Sequence, residues 1–112
     1  MKPVSGTDAP EAPWVLRADV PADAGSVCVS FPGGELTLDM DAGTGRFGET
    51  SLSFAPGKAL PLLLIADYAV FELYLGSGAV YAPEQNLSSS LAGPVSVTGA
   101  GGRIPFTLSK VD

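Results

Sequence analysis

Two carboxylates set in an apolar run are the residues of this chain most open to a chemical reading. Asp67 and Glu72 lie five positions apart within residues 62–82, LLLIADYAVFELYLGSGAVYA. A pair of carboxylates a few ångströms apart is what glycoside hydrolysis needs, one as acid and the other as base or nucleophile. A second acidic cluster, Asp39 and Asp41 with Gly43 and Gly45, has the outline of a calcium loop but lacks the glutamate such a loop ends on. Trp14, Tyr68, Tyr74 and Tyr81 have faces on which a sugar ring can stack; Trp14 is the sole tryptophan. Histidine is absent, which removes the commonest general base and the commonest metal ligand together. No metal and no cofactor is expected. The glycine-rich stretches 33–34, 43–45 and 99–102 open no helix and lack the Gly-Lys-Ser/Thr ending of a phosphate loop.

The elements that must position these residues are strands. Fourteen glycines and ten prolines in 112 residues punctuate the chain about every ten residues, and no window keeps a helical period with caps. Trp14–Val20, Ser26–Phe31 and residues 35–40 read as strands, the last a clean alternation. Residues 41–45 read as a turn and 47–54 as a short edge strand. Residues 62–66, 70–75 and 79–82 form a three-strand meander, turning at 67–69 and 76–78. Residues 83–90 read as a loop, and 95–98 and 104–111 as the closing strands, with Pro105 marking an edge or a strand start. Alternation places Phe71, Leu73 and Leu75 on one face and Val70, Glu72 and Tyr74 on the other. The first three are core, worth about 2 kcal/mol each on burial. The expected architecture is an all-β antiparallel two-sheet sandwich of the jelly-roll or concanavalin-like kind, over residues 14–112. Residues 1–13, with three prolines, read as a flexible leader or linker.

Composition narrows the partners. The hydrophobic fraction is 46% and the charged fraction 16%, enough for one core. The net charge is −6, and the six cations, Lys2, Arg17, Arg46, Lys58, Arg103 and Lys110, are scattered. Neither nucleic acid nor an anionic membrane surface is therefore an expected partner. The longest apolar stretch, 59–66, is far short of the roughly twenty residues a membrane helix needs. Cys28, the one cysteine, is expected to be a small buried core residue. A lone thiol and a polar first segment favour the cytoplasm, with secretion left open if further sequence precedes Met1.

The order of residues in 62–82 resembles the C-terminal β-sandwich of glycoside hydrolase family 32, the invertase, levanase and sucrose-6-phosphate hydrolase group. That segment there reads hydrophobic strand, Asp-Arg-Ser-Ser, Val-Glu-Ile-Phe-Val, Asn-Asp-Gly, hydrophobic strand. Asp67, Glu72 and Gly78 fall on its Asp, Glu and Gly without gaps. Tyr68 replaces the Arg, Ala69 and Val70 the two Ser, and Gly76-Ser77 the Asn-Asp. Residues 35–40 resemble the family's Leu-x-Leu-Asp-Arg strand, with Asp39 on the Asp and Met40 in place of the Arg. The resemblance extends over residues 15–111, its specific part being the hairpin.

The resemblance implies a non-catalytic accessory domain. In the family, catalysis lies in a separate N-terminal propeller, with motifs such as Trp-x-Asn-Asp-Pro-Asn-Gly, Arg-Asp-Pro and Glu-Cys, none of which occurs here. It implies a parent β-fructosidase that hydrolyses sucrose or fructans, a propeller partner in the same or a separate chain, and homo-oligomer contacts as a further role. Asp39, Asp67, Glu72 and Gly78 are then structural: Asp67 accepts backbone N–H groups in its turn, and Glu72 faces a partner strand or a neighbouring domain. The alternative is a stand-alone carbohydrate-binding module contacting sugar through Trp14, Tyr68 or Tyr81. A third reading makes Asp67 and Glu72 a catalytic pair.

Overall fold

A computed structural model describes residues 2–4, 6–11, 13–67, 70–76, 80–85 and 92–111, with the backbone alone at residues 2 and 80–85. Among these residues there are strands and turns and no helix. In chain order the strands are β1 (Lys2–Pro3), β2 (Asp8–Ala9), β3 (Trp14–Val20), β4 (Ser26–Phe31), β5 (Gly34–Asp39), β6 (Thr44–Phe47) and β7 (Thr50–Ser53). They continue with β8 (Leu60–Ala66), β9 (Val70–Leu75), β10 (Val80–Gln85), β11 (Gly93–Pro94), β12 (Ser96–Gly99), β13 (Gly102–Arg103) and β14 (Phe106–Lys110).

Two six-stranded antiparallel sheets form the sandwich. The first runs β1-β14-β3-β8-β9-β10 and the second β13-β12-β4-β5-β6-β7, with β11-β2 a small pair beside them. Alternation in the sequence becomes alternation in burial. In β3 the side chains of Trp14, Leu16, Ala18 and Val20 point inward, and in β9 those of Phe71, Leu73 and Leu75. The facing sheet contributes Val27, Val29 and Phe31 from β4 and Leu36 and Leu38 from β5 to the same core cluster.

Phe31 ties the sheets together. Its ring lies 5.0 Å from that of Phe71 and 6.3 Å from that of Trp14, both on the first sheet and both edge-on, and 6.4 Å from Phe47 on its own sheet. Such edge-to-face pairs set the quadrupole of one ring against the rim of the next and add to what burial alone contributes.

Three elements depart from the sequence reading. The single edge strand expected over 47–54 is two strands, β6 and β7, paired from Thr44↔Ser53 to Phe47↔Thr50 around a turn at Gly48-Glu49. The glycines of 41–45 signal a turn, but only part of that run turns. A Cβ on Gly45 would stand 2.6 Å from the Thr37 carbonyl oxygen, so the missing side chain lets β6 close on β5. Pro83, expected in a loop, lies within β10 opposite Glu72; β10 is a sheet edge, where a residue without an N–H is tolerated.

The third departure is at the start of the chain. The segment expected to be a leader is bound to both sides of the sandwich: Lys2 and Pro3 pair with Lys110 and Ser109, and Asp8 and Ala9 with Pro94 and Gly93. Val4 donates to the Leu108 carbonyl at 2.9 Å, and the Val95 N–H to Thr7 at 2.9 Å. Ala9 belongs to the core cluster. The prolines that signalled a linker are compatible with strands this short at a sheet margin.

Candidate docking face

The outward side chains of the first sheet form the most distinctive surface among the described residues. Register fixes which of them are neighbours. Val15 stands opposite Ile65, which stands opposite Glu72; one two-residue step along, Arg17 stands opposite Leu63, and Leu63 opposite Tyr74. Leu63, Ile65, Val70, Glu72 and Tyr74 are half-buried, and Arg17 is exposed. Three aliphatic side chains, a phenol and a carboxylate thus share one sheet face with Val15, which is itself buried at 6% exposure.

Glu72 is held within this face. Its carboxylate accepts the Tyr74 hydroxyl at 3.0 Å, a bond between residues two apart on the same side of one strand. A carboxylate half-removed from water among Ile65, Leu63 and Val70 needs such donors, since burial without them is costly. Asp67 lies at the β8–β9 turn, exposed, with its backbone N–H donating to the Val70 carbonyl at 3.0 Å. Two open depressions of the surface lie elsewhere. One is lined by Arg17, Asp19, Pro61 and Thr107 among others, and another by Ser26, Cys28, Thr37, Asp39 and Thr44; neither Asp67 nor Glu72 lines them. Among the described residues, neither of these depressions could hold a sugar between the two acids.

The remaining candidates separate. Asp39 is exposed and caps the β5–β6 turn: its Oδ1 accepts the N–H groups of Asp41 and Ala42, each at 3.0 Å, while its carbonyl accepts that of Gly43. A carboxylate oxygen so engaged serves the turn, and no group of three or more metal-ligating side chains occurs among the described residues. Trp14 corrects the sugar-contact reading: it is fully buried against Phe31, with no ring face open to a ligand. The reason is register, since β3 runs centrally between β14 and β8 with Trp14 on its inner side. Tyr68 and Gly78 lie outside the described residues. Tyr81 sits on β10 opposite Tyr74, its side chain outside them as well.

Cys28 is likewise corrected. The inward residues of β4 are Val27, Val29 and Phe31, so Cys28 points outward and is half-buried on the second sheet. Partial burial pushes its thiol pKa up, and the negative charge of Glu35 pushes it further the same way. The outer face around it carries Ser26, Ser30, Glu35, Thr37, Asp39, Thr44, Arg46 and Thr98, a hydroxyl-rich and charged surface with no aromatic ring. Nothing in the sequence singles out Arg17, Leu63 and Ile65, because they join Glu72 only through strand register.

No protein-family model matches the sequence, and no curated protein does. Solved structures do match in fold. An exo-inulinase from Aspergillus awamori superposes with a TM-score of 0.66 at 14% identity, over 100% of this chain and 28% of the exo-inulinase. The galectin LEC-6 from Caenorhabditis elegans superposes with a TM-score of 0.63 at 14% identity, over 96% of this chain and 93% of the galectin. The chain thus spans little more than a quarter of the inulinase and nearly the whole of the galectin. What it shares with both is the architecture: an antiparallel β-sandwich with one core between two sheets.

Proposed function

We propose that this chain is the non-catalytic accessory β-sandwich of a β-fructosidase-type glycoside hydrolase, supporting a catalytic propeller and contributing assembly contacts. The observation that carries the reading is the full-length likeness to 28% of an exo-inulinase, a fold found there within a longer chain. The hairpin residues Asp67 and Glu72 add to it, because they fall on the hallmark segment that the sequence resembles in glycoside hydrolase family 32. In this reading Glu72 is structural, its carboxylate satisfied by Tyr74 and its strand part of a contact face. Sucrose or a fructan is the substrate of the parent enzyme, cleaved in the propeller.

The test is made on the native polypeptide. An antibody against this domain recovers it from source cells, and intact mass and fructose release from sucrose and inulin are measured on the recovered material. A species several times heavier than 11.4 kDa that releases fructose is expected. A species of 11.4 kDa that recovers no fructose-releasing activity would overturn the reading. The second reading, a carbohydrate-binding module, is favoured by the likeness to a galectin over nearly its full length. Burial of Trp14 and the lack of an aromatic ring on the second sheet's outer face weigh against it. Calorimetric titration with sucrose and inulin separates the two, binding heat appearing only for a module.

A further inference from the structure

We infer that the outer face of β3, β8 and β9 is a self-complementary interface through which two copies of this chain associate. Arg17 and Glu72 stand on opposite sides of β8, offset by one two-residue step: Arg17 is opposite Leu63, and Glu72 is opposite Ile65. At ordinary strand spacing their Cα atoms are about 12 Å apart, with Leu63 and Ile65 between them. A two-fold axis in the interface plane, crossing β8 between Leu63 and Ile65, exchanges the two positions. Each guanidinium then meets the carboxylate of the other copy, and Leu63 and Ile65 of both copies pack at the centre. An isologous contact requires this reciprocity, residue i meeting j while j meets i.

Charge argues for this arrangement. Two copies of a chain with net charge −6 repel at most juxtapositions. Of six lysines and arginines, Arg17 is the one that register places beside the apolar centre of this face, opposite in sign to Glu72 across it. Asp19 lies one step further along β3, opposite Pro61, at the margin of the patch. Tyr74 fixes the Glu72 carboxylate from its own side, so the acceptor is already oriented before association. The second sheet offers no equivalent, its outer face being hydroxyls and scattered charge without an apolar centre. The interface does not depend on the glycosidase reading.

Sedimentation equilibrium on the intact chain tests the proposal. The wild type is expected at twice 11.4 kDa at high protein concentration. Arg17→Glu and Glu72→Arg should each weaken association at least about tenfold, and the double swap Arg17→Glu/Glu72→Arg should recover most of the loss. Leu63→Glu should abolish the dimer, while Thr37→Glu on the opposite sheet leaves it unchanged. Thermal melts confirm that each variant folds, and Glu72→Gln, which keeps an acceptor for Tyr74, replaces Glu72→Arg if the latter does not. A monomer at every concentration, a dimer indifferent to Leu63→Glu, or single losses that the double swap does not recover would each overturn the interface.

Discussion

Replacing Phe31 by alanine should be among the most damaging single changes to this fold, and the size of the effect follows from its position. The ring is 5% exposed and touches three others, two of them across the sandwich. Truncating a buried phenylalanine costs about 3–5 kcal/mol, the lost transfer energy plus the cavity left behind. A domain of this length is stable by roughly 6–17 kcal/mol, so the loss is a large share of the total. At about 4 °C per kcal/mol the melting temperature should fall by roughly 12–20 °C. Urea unfolding followed by fluorescence measures it directly, because Trp14 is the only tryptophan and its ring lies 6.3 Å from that of Phe31. A double-mutant cycle of Phe31→Leu and Phe71→Leu should show a coupling of about 0.5–1.5 kcal/mol for the pair 5.0 Å apart. A Phe31→Ala cost below about 1 kcal/mol, or zero coupling in the cycle, would refute the assignment of Phe31 as the tie between sheets.

Gly34→Ala should destabilise by about 1–3 kcal/mol in urea unfolding, because its Cβ would stand 2.8 Å from the Phe31 ring, which Trp14 and Phe71 hold in place. Tyr74→Phe and Glu72→Ala should each cost about 1 kcal/mol, and the double variant less than their sum, since both break one hydrogen bond; full additivity in the melts would count against that bond. Removing residues 1–9 should cost about 2–4 kcal/mol through loss of the pairing with β14 and β11 and exposure of the edge it covers; an unchanged melt would mean the segment is a mere leader. Alkylation of Cys28 by iodoacetamide should be slow at neutral pH and should rise only above the ordinary thiol range, since burial and Glu35 both raise the pKa. Glu35→Gln should shift the rate profile to lower pH.

The pattern of the chain made much of the fold legible, and the exceptions share a cause. Trp14–Val20, Ser26–Phe31 and Val70–Leu75 have the expected limits, because strict alternation between turn residues admits one pleat and one buried face. Two of the misreadings fall on a glycine and a proline. Gly45 and Pro83 punctuate a sequence, yet each lies in a strand where a neighbour supplies the reason: the close backbone of β5 for Gly45 and the free edge of β10 for Pro83. Cys28 has the type and the valine neighbours of a core residue, whereas its parity in β4 turns it outward.

The fold class and the inner face of the sandwich follow from local pattern. Alternating apolar residues with frequent turns leave an antiparallel sandwich as the way to bury Phe71, Leu73 and Leu75. The surroundings of the acids and the make-up of the outer faces follow from tertiary contacts instead. Register between distant strands places Arg17, Leu63 and Ile65 beside Glu72, buries Trp14 beneath Phe31, and draws β1 and β2 onto β14 and β11. Those outcomes depend on which strands pair and how far each is slid along its neighbour. Local pattern carries no record of that choice, because it is made by the packing of the whole core.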